Sequence, residues 1–177
     1  MATKHQRLTI QIPKQYSKSE RELIGLDIID KIVSRTQSGI DKNGSKFPGY
    51  SKSYINSLDF KVSGKSRGSV NLTLSGDMLA SLKILDDKKS GSITIGFDKG
   101  SDENARADGN IRGTYGSNKA SASKARDFLG IQSKDLENIL NKVTSGDSDT
   151  TEISKLIRDI ADQIAGNIVD EVGLDGE

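Results

Sequence analysis

The chain has 177 residues, enough for one domain of ordinary size, and its four Tyr, four Phe and no Trp predict a small core. Its 26 basic and 25 acidic residues nearly cancel and form no long run of one sign, which argues against nucleic-acid binding. The absence of cysteine excludes disulfides, thiolate metal sites and a cysteine nucleophile, and it is compatible with a reducing cytoplasm.

No apolar stretch approaches the roughly 20 residues that a membrane-spanning helix needs. The first residues lead into alternating Leu8, Ile10 and Ile12 rather than into a continuous hydrophobic signal segment. We therefore expect no membrane association, and a product that stays in the cytosol unless a particle carries it out.

Apolar spacing predicts the first two elements in chain order. Leu8, Ile10 and Ile12 alternate with polar residues and predict a short half-buried strand that ends at Pro13. A helical period from Ser17 or Ser19 to about Gln37 predicts an amphipathic helix. Its apolar positions are Leu23, Leu26, Ile29, Ile32 and Val33.

Residues 39–68 change in character, because glycines punctuate a stretch rich in Lys and Ser. This composition predicts an extended arm or long loop that holds Phe47, Tyr50, Tyr54 and Phe60. Compact domains rarely leave so long a segment without regular structure, so the arm either carries function or is ordered by a partner.

The middle of the chain predicts an antiparallel sheet. Alternating apolar residues at 70–74 predict a strand that enters a helical turn at Asp77–Leu79. Leu82 and Ile84, a polar turn at 86–91, and then apolar positions at 93, 95 and 97 predict a hairpin. Residues 98–123 are small, polar and rich in Gly, so we expect mobility there apart from a short helix at 101–108.

Two helices are predicted toward the end of the chain. Ser133 begins the first, whose apolar face is Leu136, Ile139, Leu140 and Val143. After a polar linker at 144–150, a regular apolar stripe from Ile153 to Val172 predicts a second, amphipathic helix. Either the protein's own core or a neighbouring subunit covers that stripe.

These elements predict an α+β fold in which an antiparallel sheet packs against helices, with long extended loops and a C-terminal amphipathic helix. We divide the chain into an α+β domain at 1–143, which includes the arm 39–68, and a linker with the C-terminal helix at 144–177.

Residues suited to catalysis are scarce. His5 is the only histidine and lies in a terminus that we expect to fray, so a triad, an acid–base pair or a multi-histidine metal site lacks its parts. The sequence Ser63-Gly64-Lys65-Ser66 ends like a phosphate-binding loop, but Asp59 stands where the first Gly is needed, so a plain loop is the better interpretation.

Two groups of acidic residues resemble calcium-binding loops, but the spacing of their residues does not match that of such a loop. Asp41, Asn43 and Ser45 resemble the opening of such a loop, yet Gly44 comes too early and Lys52 replaces the closing Glu. A second acidic group begins at Asp98, but Gly109 stands at its twelfth position, where a calcium loop needs the closing Glu. We therefore predict no enzyme, with no catalytic residue, no cofactor and no metal.

Three stretches, in the same order along the chain, resemble the virion morphogenesis, or tail-completion, family of tailed bacteriophages. The first motif is Asp41–Tyr54, the second is Leu74–Leu82, and the third runs from Arg126 to Ile131 and on to Ser133, Asp135 and Leu136. Two positions depart from the family pattern, since Phe47 stands where a Trp is frequent and Asp127 where a Pro precedes the Phe.

The resemblance implies an α+β subunit of a ring at the head–tail junction of the virion, assembled in the host cytoplasm. Such a protein completes the tail and joins it to the head. Its partners are copies of itself, portal, adaptor or head-closure proteins, and tail tube or terminator proteins. Two alternatives are a tail terminator that caps the tail tube and a non-virion assembly chaperone or binding module.

Four residues are predicted to bind a partner. Phe47, Tyr50 and Tyr54 are candidate anchors because aromatic side chains bury much area for few frozen torsions. Their alternative is packing in the local core. Arg126 either pairs with Asp127 or reaches another subunit. Replacing Tyr50 and Tyr54 by Ala is expected to leave the monomer folded and to abolish its incorporation into particles.

Overall fold

A computed structural model describes residues 3–63, 65, 67–68, 70–72, 77–86, 91–114 and 123–145. The chain divides into two compact units, residues 1–139 and 140–177, and the second is described only over residues 140–145. The elements are β1 (Arg7–Gln11), α1 (Lys18–Gln37), α2 (Lys52–Ile55), α3 (Leu58–Val62), α4 (Asp77–Ala80), β2 (Lys83–Asp86), β3 (Ser92–Gly96), α5 (Asp102–Arg112) and α6 (Ser133–Thr144).

The sheet confirms the α+β class. Its three strands are antiparallel in the order β1-β3-β2, so β3 is central. Leu8 pairs with Ile95, Ile10 pairs with Ile93, and Ile84 pairs with Ile95 from the other side. These registers place the apolar residues of all three strands on one face. The predicted first strand and the predicted hairpin are both confirmed.

Helix α1 covers the apolar face of the sheet. Ser17 caps its start, because the Ser17 hydroxyl accepts from the Glu20 N–H while the Glu20 carboxylate accepts from the Ser17 N–H. The helix comes very close to the strands at Gly25, where a Cβ would lie 2.5 Å from Ile84 Cδ1. Its fully buried residues are Ile24, Ile28, Ile32 and Thr36.

The face of α1 that we predicted to be apolar is therefore rotated about the helix axis from the face that is buried. Leu26, one of the apolar positions from which we predicted the amphipathic helix, is 54% exposed. The helix carries apolar residues around much of its circumference, so its own periodicity did not select one stripe. The close approach at Gly25 selected the stripe that faces the strands.

The segment predicted as an extended arm contains more structure than expected. Ile40 and Lys46 form an isolated antiparallel bridge, and α2 and α3 each begin at a serine cap, Ser51 and Ser57. Further on, Val70 is buried, but residues 70–72 form no strand and Leu72 has a φ of 52°. Leu74 lies outside the described residues.

The short helix predicted at 101–108 is confirmed as α5, which extends to Arg112, and its buried contacts correct the expectation of mobility for residues 98–114. Ser101 caps its start, Gly113 ends it with a φ of 66°, and the polar residues Asn104 and Asp108 are buried. Buried polar groups need hydrogen bonds, and here residues near the start of the chain supply them. The Gln6 backbone N–H donates to Asn104 Oδ1 (2.7 Å), and Gln6 Nε2 donates to Asp108 Oδ1 (2.7 Å).

The same contacts correct the expectation of a frayed N-terminal segment. The His5 ring nitrogen Nε2 lies 2.7 Å from the Phe97 carbonyl oxygen, and the ring is half-buried. Asn104 Nδ2 donates to the Lys4 carbonyl (3.0 Å). Hydrogen bonds to α5 and to Phe97, which directly follows β3, therefore hold residues 4–6 in place.

The segment before α6 is fastened to the core by Phe128 and Arg35. Phe128 is fully buried and packs edge-on against Phe97, with ring centroids 6.3 Å apart. Arg35 donates to the carbonyls of Phe128 (2.7 Å) and Gly130 (2.8 Å).

The predicted helix at Ser133 is confirmed, whereas the predicted C-terminal helix at 151–172 lies outside the described residues. In the described part of the chain, no helix has the length and apolar character needed to cross a membrane.

Candidate partner-binding site

The first and third motifs adjoin in the structure. The Lys42 N–H donates to the Asp127 carbonyl (2.9 Å), and Lys42 Nζ forms an ion pair with Asp127 Oδ2 (2.6 Å). A Cβ at Gly130 would lie 2.9 Å from the Lys42 side chain, so the two segments pack closely there. Asp127, the sequence-predicted alternative partner of Arg126, is thus paired with Lys42 instead.

Asn110 of α5 links the third motif to the second. Its carbonyl accepts from the Arg126 N–H (2.8 Å), and its side-chain oxygen lies 3.4 Å from Arg126 Nη1. Its Nδ2 lies 3.9 Å from Sδ of Met78, which belongs to α4 within the second motif. Segments that are far apart in sequence therefore meet around Arg126.

Tyr50, Tyr54 and Phe60 form one aromatic cluster. Their ring centroids are separated by 5.3 Å (Tyr50 to Tyr54), 5.4 Å (Tyr50 to Phe60) and 5.5 Å (Tyr54 to Phe60), and Phe60 meets both tyrosines edge-on. Phe60 is buried, whereas both tyrosines are half-buried. The cluster gives α2 and α3 a small core of their own.

Phe47 does not belong to this aromatic cluster. It is 7% exposed, and its N–H donates to the Gly39 carbonyl (2.8 Å). In this subunit the ring therefore packs locally, as the alternative interpretation of the sequence expected, while Tyr50 and Tyr54 keep part of their surface exposed.

Two cations lie over the tyrosine rings. Lys65 Nζ is 5.4 Å from the Tyr50 centroid and 5.9 Å from that of Tyr54, and Arg126 Cζ is 5.5 Å from the Tyr50 centroid. Within the described residues, neither cation forms an ion pair with a carboxylate, and Arg126 Nε is buried without a hydrogen-bond partner. The site is thus positively charged, and no carboxylate among the described residues is paired with its two cations.

Burial shifts the pKa values of Arg126, Lys65 and Tyr50 at the site. It lowers the pKa of Arg126, although the nearby tyrosine oxygens oppose that shift. It also lowers the pKa of Lys65, and repulsion from Arg126 adds to the effect. Burial raises the pKa of Tyr50 against smaller opposing effects of the Asn71 backbone and Arg126. An acidic partner group would relieve the cost of holding both cations here.

The other sequence candidates are ordinary structural features. Asp41 Oδ1 accepts from the N–H groups of Asn43 and Ser45, so this segment forms a turn. Asp98 forms an ion pair with Lys83 (2.6 Å). Across the described ranges no three potential metal-binding side chains gather. Gly64 and Ser66 of the loop that resembles a phosphate-binding motif lie outside those ranges.

Sequence reasoning missed Lys65 and the exposed apolar pair Leu58 and Val62. The sequence drew attention to Lys65 only as part of the loop that resembles a phosphate-binding motif, because its position over the rings follows from the tertiary path of the chain. Leu58 and Val62 are four positions apart in the sequence, and this spacing places both on one face of α3.

Comparison with known protein families, curated proteins and solved structures found no match to this chain.

Proposed function

We propose that this chain is a structural protein of a phage neck, a ring subunit that completes the tail and joins it to the head. The observation that carries the proposal is the convergence of its three family-like motifs around Arg126 and Lys42. The packing of the three stretches against one another supports the interpretation that they form one structural unit.

The chemistry of the site fits assembly. The half-buried tyrosines leave part of their surface accessible to a neighbour, and the two cations beside them favour an acidic group from a neighbouring protein. Copies of the chain and the portal, adaptor, head-closure or tail proteins are the proposed neighbours. A subunit of this kind has a structural role, because it occupies a defined position in the assembled particle.

The direct test is mass spectrometry of purified, DNase-treated virions of the phage or prophage that carries the gene. The proposal expects a low but definite copy number in full particles. Recovery with isolated tails would instead favour a tail terminator. Absence from virions, together with abundance in producing cells, would overturn the structural role and point to a chaperone or binding module.

A variant pair tests the site within that assay. Tyr50→Ala with Tyr54→Ala is expected to lose incorporation into particles, but it also removes two neighbours of Phe60, so the folding of the variant needs checking by circular dichroism. The matched control is Tyr50→Phe with Tyr54→Phe, which retains the rings and should be incorporated. Normal incorporation of a folded alanine variant would remove the aromatic cluster from the proposal.

A further inference from the structure

Lys65 and Arg126 are half-buried cations that form no ion pair with any described carboxylate. Burial of a charge is costly, so a cation in this position ordinarily has an anion beside it. Arg112 pairs with Asp108, and three nearby aspartates oppose the lowering of the pKa of Arg35 that burial causes. For Arg126 the groups that oppose the corresponding pKa shift are tyrosine oxygens.

Two nitrogen donors of these side chains have no partner. Arg126 Nη1 lies 3.4 Å from Asn110 Oδ1, and Arg126 Nε is buried without a hydrogen-bond partner. Arg126 Nη2 and Lys65 Nζ form no hydrogen bond within the described residues, and neither of these two atoms is buried. Both donors are therefore accessible to a group from outside the subunit.

The chain on either side of the two cations supplies no anion. Residues 60–76, which include Lys65, contain no acidic residue, and neither do residues 109–126. Asp127 directly follows Arg126 but forms an ion pair with Lys42 (2.6 Å). An anion at this place must therefore come from outside these segments.

The two cations also oppose each other. Lys65 Nζ and Arg126 Cζ lie 5.4 Å and 5.5 Å from the same point, the centroid of the Tyr50 ring. Burial lowers the pKa of Lys65, and repulsion from Arg126 lowers it further. An anion bound beside the pair would offset both the repulsion and the cost of desolvation.

We propose that Tyr50, Lys65 and Arg126 bind one carboxylate of a partner protein, the side chain of an Asp or Glu on its surface. We call these three residues the carboxylate site. A planar guanidinium matches the geometry of a carboxylate, and Lys65 adds a second charge. The half-buried rings of Tyr50 and Tyr54 offer apolar surface to the methylene groups of the bound side chain.

A nucleic acid fits the carboxylate site less well than a protein does. Binding to a phosphate backbone needs cations placed along a series of phosphates, whereas this site contains a single pair. The inference deepens the proposed assembly role, and it rests on that role in taking the partner to be a neighbour in the particle.

Nuclear magnetic resonance of the purified, full-length protein tests the site with two short probes. One probe is an acetylated Gly-Glu-Gly amide, and the other contains Gln in place of Glu. The Glu probe should shift the signals of the Tyr50 ring and the buried Arg126 Nε–H group, with a Kd on the order of 1 mM. Equal shifts with both probes, or no shift with either, would overturn the proposal.

A matched pair of lysine variants separates the site from general attraction to a positive surface. Lys65→Gln should weaken binding of the Glu probe by about fivefold, because one of the two charges is lost. Lys61→Gln removes the same charge from an exposed position on α3 and should change the Kd by less than about twofold. Equal losses in the two variants would contradict the assigned site.

A third titration distinguishes a protein carboxylate from a nucleic-acid phosphate. A short oligothymidylate should shift the Tyr50 and Arg126 signals less than the Glu probe does at the same concentration. Tighter binding of the oligothymidylate, with a steep loss as salt is raised, would reassign the site to phosphate and remove the carboxylate ligand.

The outcome is independent of the virion assay. Selective binding of the Glu probe by a protein that is absent from virions would support the carboxylate site and remove the neck function. A protein that is present in virions but does not bind the probe would lose the site and keep the neck function. If both hold, Lys65→Gln should lower incorporation into particles, whereas Lys61→Gln should leave incorporation unchanged.

Discussion

Arg126 joins contacts from three segments of the chain. Its backbone N–H and its side chain both reach Asn110, and its guanidinium lies over the Tyr50 ring. Its charge is not paired with the adjacent Asp127, which binds Lys42. A residue that sequence reasoning marked as a surface contact is therefore also a link between α5 and the aromatic cluster.

Replacing Arg126 by Ala should lower the free energy of unfolding by about 1–2 kcal/mol, since one cation–π contact and one side-chain hydrogen bond are lost. Arg126→Lys should fall between the wild type and the Ala variant, because the charge stays and the planar donor group is lost. Urea unfolding measures both variants. An Ala variant as stable as the wild type would show that Arg126 does not link these segments.

Replacement of glycine by alanine is expected to have different effects at Gly96 and at Gly49. A Cβ at Gly96 would lie 2.6 Å from the Gln6 carbonyl oxygen and 2.9 Å from Arg7 Cα, so β1 and β3 would have to separate. We expect Gly96→Ala to destabilise the fold by about 1–3 kcal/mol.

Gly49 is the matched control, because no atom lies within 4 Å of a Cβ built there. Gly49→Ala should leave the free energy of unfolding unchanged or raise it by up to about 1 kcal/mol. Thermal unfolding of the two variants side by side checks the prediction, and equal losses in both would contradict the described packing of β1 on β3.

At the scale of elements, α5 shows how a polar helix is anchored without a large apolar face. Asp108 is 2% exposed, accepts from Gln6 Nε2 and pairs with Arg112 one turn later on the same helix. A buried charge is tolerated only with partners of this kind. The segment before β1 thereby becomes part of the structure that holds α5 beside the sheet.

Asp108→Ala should destabilise the fold by about 3–5 kcal/mol, because it removes both the acceptor of the Gln6 amide and the carboxylate that pairs with the partly buried Arg112. Asp102→Ala, an exposed change in the first turn of α5, should cost about 0.3–1 kcal/mol. Chemical denaturation compares the two. Similar small losses would mean that the network around Gln6 does not hold α5.

On the scale of the whole molecule, the near-zero net charge conceals opposite local charges. The chain carries +1 overall, yet residues 51–72 and 22–30 carry +3 and −3. Local charge of this kind orients association even when total charge does not.

The sequence by itself determined the α+β class, the strand at residues 8–12, the hairpin around residues 82–97 and the helices after Ser17 and Ser133. These elements follow from local spacing and capping, which any short window of sequence contains. Of the predicted site, it identified Tyr50, Tyr54 and Arg126, which the structure brings together.

Only the tertiary structure decided which face of α1 is buried, since two stripes of that helix are apolar and the sheet selects one at Gly25. It also decided that Asn104 and Asp108 are buried, because their partners lie about 100 residues away in sequence. The exposure of Leu26 beside Glu22 and Asp30 has the same origin. Burial depends on what packs opposite a residue, and no local pattern contains that information.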